Sequence, residues 1–170
     1  MNIPKVWLHI GSAVFDSSKF NAVTNREYFN KPLGGLWGAA YTPDNESKSA
    51  WHEFSGQSGP AFTFTLKDDA RILLINDQQD LSDFIDIVGN TMNEKVFWDS
   101  ITTPNFEVAA EYWDVIYLTP KGQVSTHLPF DGSRSLYGWD VPSCLVLHPH
   151  VVTMQESLEV APYGNGFMVV

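Results

Sequence analysis

Apolar and polar positions alternate or cluster in short blocks along the chain. The first block, Val6-Trp7-Leu8-His9-Ile10, predicts a strand that stops at Gly11. Residues 15–30 mix polar and aromatic side chains without a clean period and predict a long irregular connection, of a length that commonly carries function. A Pro32/Gly34-Gly35 turn then leads into a second strand, Leu36 to Tyr41, whose small residues leave room beside it for a flat ligand and which Thr42-Pro43-Asp44 ends. Ser47 or Ser49 is placed to cap a short helix carrying Trp51, His52 and Phe54 and closed by Gly56.

Phe62 to Leu66 alternates with period two, and Arg71 to Ile75 follows across Lys67-Asp68-Asp69, so the two blocks predict a strand pair. The period then changes. Leu81, Phe84, Ile85 and Val88 fall at i, i+3, i+4 and i+7 of a helix opened by Asp77 or Asp80, with Asp83 and Asp86 facing water. Glu94 to Ile101 predicts a further short helix. Phe106 to Tyr112, after Pro104-Asn105, predicts a third, which runs into the strand Val115 to Leu118. Lys121 to Ser135 is rich in Gly, Pro, Ser and Asp and predicts a loop. Leu136–Asp140 and Cys144–His148 predict strands on either side of Pro142, placing Asp140 at a strand lip. The tail blocks Val151-Val152, Leu158–Val160 and Phe167–Val170 suit edge strands. Mixed strands with a few helices and no regular βαβ spacing indicate an α+β fold over one domain, 1–170.

Composition narrows the functional classes. With 170 residues, 44% hydrophobic, 18% charged and 14% aromatic, the chain can bury a substantial core and has no low-complexity tract. Twenty acidic against ten basic residues give a formal charge of −10, which argues against a general nucleic-acid binder and leaves open a protein partner with a basic face. The single Cys144 lies in an apolar run and suits a small buried hydrophobe. The N-terminus is too interrupted by Pro4, Lys5 and His9 for a secretory signal, and no window approaches the ~18 apolar residues of a membrane span, so a cytoplasmic protein is expected.

Several signatures are missing: Gly-x-Gly-x-x-Gly, a Walker loop, His-Glu-x-x-His and Gly-x-Ser-x-Gly. His148-Pro149-His150 lacks a third ligand and suits a surface turn, so no metal is assigned. What stands out is His9-Ile10-Gly11-Ser12 at the end of the first strand, followed by Lys31-Pro32-Leu33-Gly34-Gly35-Leu36-Trp37, then Tyr41, and late in the chain Trp139-Asp140-Val141-Pro142-Ser143. A strand ending in His with Gly-Ser, a Tyr on the next strand and an acid at a late strand lip resemble the His, Tyr, Glu branch of the ADP-ribosyltransferase superfamily. The Gly-Gly-Leu-Trp and Trp-Asp-x-x-Ser runs are also similar to small phage and bacterial proteins, among them ADP-ribosylating anti-CRISPR proteins. The likeness covers the first fifth of the chain and one short late segment.

The resemblance implies a split, two-sheet cleft in which NAD, as substrate, lies bent. His9 would hydrogen-bond a hydroxyl of the adenosine ribose, Gly11 and Ser12 would face the nicotinamide amide, and Tyr41 would stack on its ring, with Trp37 as the alternative stacking ring. Asp140 would stand where the family has its catalytic glutamate, with Ser143 as an alternative occupant and Glu107, Glu111 and Asp114 as competing carboxylates. Cleavage of the nicotinamide–ribose bond builds positive charge on the sugar, which a nearby anion stabilises. Two departures from the family pattern are plain. Ile10 separates His9 from Gly11, which calls for a β-bulge or a different role for the histidine, and the acid is one methylene shorter.

Each of these residues also has a structural reading: His9 as a satisfied strand-end histidine, and Trp37, Tyr41, Trp51 and Trp139 as core packing. Arg26, Lys31, Arg71 and Arg134 are the basic candidates for the pyrophosphate. The implied function is mono-ADP-ribosylation of a protein target, as an effector of phage or bacterial origin such as an anti-CRISPR. An NAD glycohydrolase would share the cleft. The alternative from another class is a non-catalytic acidic protein that docks on a basic nucleic-acid-binding partner by charge mimicry. Mimicry predicts acids crowded on one face, whereas Asp44, Glu46, Asp68, Asp69, Asp77, Asp80, Asp83 and Asp86 are spread over several predicted elements.

Overall fold

The computed structural model describes residues 2–26, 29–90, 103–127 and 134–164. In chain order it contains β1 (Trp7–Ile10), β2 (Thr24–Arg26), β3 (Phe29–Leu33), β4 (Leu36–Ala40), α1 (Ala50–Ser55), β5 (Gly59–Leu66) and β6 (Ile72–Ile75). There follow α2 (Gln78–Val88), α3 (Phe106–Tyr112), β7 (Val115–Leu118), α4 (Pro120–Thr126), β8 (Ser143–Val146) and β9 (Val152–Val160). Seven strands form one mixed sheet in the order β6-β7-β8-β4-β1-β5-β9, and β2 and β3 form a separate ribbon. The class is α+β.

The helices form where the capping chemistry is local. Ser49 caps α1, its side chain accepting from the His52 amide, and Gly56 ends it at φ 64°. Asp77 caps α2 in the same way, and the buried stripe is Leu81, Phe84, Ile85 and Val88, with Asp83 and Asp86 exposed, as the period requires. Three sequence expectations give way to other structure. Residues 15–30 are not irregular throughout but hold a 3₁₀ turn (Ser17–Lys19), β2 and the start of β3. The segment expected as a loop from Lys121 begins with α4, which Thr119 caps and Pro120 opens. Gly122 suits that helix because a Cβ there would stand 2.0 Å from the Ile75 carbonyl oxygen. Leu136–Asp140 is a turn, in which the Trp139 amide donates to the Leu136 carbonyl at 2.8 Å. The helix expected at Glu94–Ile101 and the strand expected at Phe167–Val170 lie outside the described residues.

The expected β5–β6 pair does not form. β5 pairs with β1 and β9, while β6 pairs in parallel with β7 across a crossover that carries α2 and α3. Five strand spacings of about 4.8 Å separate β5 from β6 in a flat sheet, roughly 24 Å. The link from Leu66 to Ile72, even if extended, spans at most about 20 Å, and it contains a turn closed by the Ala70 amide on the Lys67 carbonyl. The sheet therefore curls. Phe62 and Phe64 of β5 share one core with Val115 and Tyr117 of β7, and Trp7 of β1 meets Tyr117 edge-on at 5.0 Å. A second core lies outside the β6-β7-β8-β4 half under α2 and α3, and a third, smaller one outside β1-β5 under Trp51 and Tyr41.

The buried Asp114 ties α3 to β6. Its carboxylate accepts from the Arg71 backbone amide at 2.9 Å and from the guanidinium at 2.9 and 3.2 Å. These hydrogen bonds from Arg71 hold the carboxyl below the usual range against the opposing effect of its burial. A folded-state pKa lower than the unfolded one stabilises the fold above the unfolded pKa, and that contribution is lost as pH falls through the folded value. Arg71→Ala is accordingly expected to move the midpoint of acid unfolding to higher pH in a pH titration followed by circular dichroism.

Candidate functional site

β4 changes partners along its length, and that change opens the molecule. Its first residues pair with β8 (Leu36↔Val146, Trp37↔Leu145, Gly38↔Cys144), whereas its last two pair with β1 (Trp7↔Ala40, Leu8↔Ala39). Beyond Leu8 and Ala39 the β1–β4 ladder stops, while β1 continues in register on β5 through His9↔Phe62 and Ile10↔Ala61. In the gap lies a cleft of about 230 Å³. Its lining comes from Leu8–Ile10 of β1, Lys31 of β3, residues 37–39 of β4, Trp51 in the first turn of α1, Gln57 just past its end, and residues 139–141 and 143 ahead of and within β8.

His9 bridges the gap. Its Nδ1 donates to the Trp37 carbonyl at 2.8 Å, taking the place of a ladder bond. That bond puts the proton of a neutral imidazole on Nδ1 and leaves the Nε2 lone pair as an acceptor. Burial pushes the His9 pKa down, the Trp37 carbonyl opposing it, which favours the neutral ring. No bulge is needed for this, because β1 runs regularly against β5 despite Ile10. The ring also packs on Phe62, 5.2 Å between centroids.

Three indoles shape the walls. Trp37 and Trp139 meet edge to face at 4.7 Å, and Trp51 is pinned by its Nε1 donating to Gln57 Oε1 at 2.8 Å. Gln57 in turn donates from Nε2 to the Ile10 carbonyl at 3.3 Å, a tie across the cleft floor. Asp140 is the only carboxylate among the described lining residues, and its charge acts on Lys31. Glu107 is spent on Asn25, Asp114 on Arg71, and Glu111 is exposed away from the lining. Ser143 lines the cleft but donates its hydroxyl to the Val141 carbonyl.

Of the residues singled out in the sequence, His9, Trp37 and Asp140 share the cleft, and Gly11, Ser12 and Tyr41 are not among its lining. Gly11 is exposed at φ 129° with its amide on the Pro60 carbonyl, and Ser12 closes its own turn on Val14. Tyr41 packs with the Leu8, Ile10 and Ala61 cluster, its phenol pushed up by burial and by Glu156 and Asp44. Of the four basic candidates, Lys31 alone lines the cleft, while Arg71 pairs with Asp114 and Arg134 with Asp86. Gln57 is a lining residue that no pattern around it announced.

His148 donates from Nε2 to the Ala110 carbonyl at 2.6 Å, and among the described residues no group of three His, Cys, Asp or Glu side chains is placed to hold a metal. Nor is any helix among them long and apolar enough to cross a membrane. No family model, curated protein or solved structure matches the chain.

Proposed function

We propose that the cleft binds NAD and that the chain transfers ADP-ribose from it to a protein. The observation that carries this reading is the meeting of a carboxylate, Asp140, with a neutral imidazole, His9, in an aromatic-walled cleft between diverging strands. The volume is below the ~300–1,000 Å³ of pockets that enclose whole drug-sized ligands. It suits one flat ring and its sugar, the rest of the dinucleotide lying along the open mouth.

In the proposed reaction the bond between the ribose C1′ and the nicotinamide nitrogen breaks, and its electron pair leaves with nicotinamide as a neutral molecule. The sugar becomes oxocarbenium-like, and the Asp140 carboxylate stabilises that charge in a site partly screened from water. A nucleophilic side chain of the target forms the new bond to C1′ and gives up its proton to solvent or to a basic group at the site. His9 orients a ribose hydroxyl by accepting from it at Nε2. Trp37 supplies the stacking face, the part that the family resemblance gave to Tyr41. This reading also keeps the finer fold assignment, a split ADP-ribosyltransferase-like core, as a proposal supported by the partner change along β4.

Incubating the protein with NAD labelled in the adenylate half, with and without bacterial lysate, tests this. Label appearing on a protein together with free nicotinamide is the expected result. Free ADP-ribose alone would reassign the chain as a glycohydrolase, and intact NAD in both arms would sink the proposal.

A further inference from the structure

We propose that the β2–β3 ribbon is the anion-recognition arm of the cleft, with Lys31 binding the phosphates of the substrate dinucleotide. Lys31 is the one lysine or arginine among the described lining residues. Its ammonium stands 4.8 Å from the Trp37 ring centroid and 5.4 Å from that of Trp51, so two indole faces hold it at the cleft wall. Among the described residues no ion pair of 4.0 Å or less engages it, which leaves its three N–H donors for a ligand.

The surroundings point to an anion as that ligand. Burial disfavours the Lys31 charge, the Asp140 carboxylate opposes that effect, and Arg26 on the neighbouring strand of the ribbon adds a smaller repulsion. A half-buried ammonium that no ion pair engages among the described residues gains from an anionic ligand that reaches its N–H donors. A flat ring against the tryptophans with phosphate at Lys31 describes a nucleotide. The choice of a dinucleotide rests on the NAD reading, whereas the charge argument stands without it.

The test is binding, followed by the fluorescence of the cleft tryptophans, with NAD, nicotinamide riboside and inorganic pyrophosphate as probes. Lys31→Met keeps the apolar stem over the indoles and removes the charge. It is expected to weaken NAD and pyrophosphate at least ~10-fold, the scale of a lost charged hydrogen bond, and not to weaken nicotinamide riboside, a cation without phosphate. Lys31→Arg should retain NAD binding, and rising ionic strength should weaken NAD on the unaltered protein. NAD binding that is equal in Lys31→Met, or indifferent to salt, overturns the arm and leaves the NAD reading standing. Pyrophosphate binding that depends on Lys31 without any binding of NAD supports the arm and sinks the NAD reading. Binding of neither NAD nor pyrophosphate overturns both.

Discussion

Replacing Asp140 by alanine is expected to slow nicotinamide release from NAD at least ~100-fold, the scale seen when one preorganised charge-stabilising group is taken from a transition state. Thermal stability should change little, within about 0.5 kcal/mol, as for a surface position outside the packed network. Asp140 is only partly buried, and its one structural bond, from Gln123 Nε2 at 3.3 Å, goes to the backbone carbonyl and survives the substitution. Asp140→Asn sharpens the test, since it keeps the shape and removes the charge. If bond cleavage depends on an anion, Asn should be nearly as slow as Ala, while Asp140→Glu retains part of the rate. Nicotinamide release within about threefold of the unaltered protein in the Asn variant would remove Asp140 from the chemistry, because a 1.4 kcal/mol difference already corresponds to tenfold.

Local signals in the sequence announced the elements that depend on local chemistry. The cap at Ser49, the cap at Asp77 with the Leu81/Phe84/Ile85/Val88 stripe, and the runs that became β1, β4, β7 and β8 each hold their cause within a few residues. Pairing was less legible. Phe62–Leu66 and Arg71–Ile75 look like a hairpin because a short polar link joins them, yet β5 finds its partners at β1 and β9, and only the closing of the whole sheet decides between the two. α4 was hidden because Gly122 and Ser125 count as loop formers, whereas Gly122 is there for close approach to Ile75.

The cleft divides in the same manner. His9 and Asp140 stood out by residue type and by place at the ends of apolar runs, but the role of His9 depends on the Trp37 carbonyl, a contact between strands that only the fold creates. Gln57 had no signal at all, since its value lies in reaching both Trp51 and Ile10. Tyr41 lies just past the end of β4 and packs with Leu8, Ile10 and Ala61, and it is not among the described lining residues.

Trp139→Ala is expected to cost about 3–5 kcal/mol, the range for removing a large buried aromatic side chain. The fold of a domain this size holds only about 5–15 kcal/mol in all, so the denaturant midpoint should fall by a large fraction. Trp139 is 1% exposed, stacks on Phe106 at 6.1 Å and 23°, and donates from Nε1 to the Asn30 carbonyl at 3.3 Å. Asn30 also fixes the turn that presents Asp140: its side-chain amide donates to the Ser135 carbonyl at 2.9 Å, and its Oδ1 accepts from the Gly138 amide at 2.9 Å. Core packing and placement of the acid therefore run through the same side chain. Trp139→Phe separates them. It keeps most of the stacking and loses the Asn30 hydrogen bond, so it should recover much of the stability lost in the alanine variant while nicotinamide release stays depressed, measured at a temperature where both variants remain folded. Full recovery of both in Trp139→Phe would show that Asp140 is positioned by the backbone turn alone, and that the indole serves only the core.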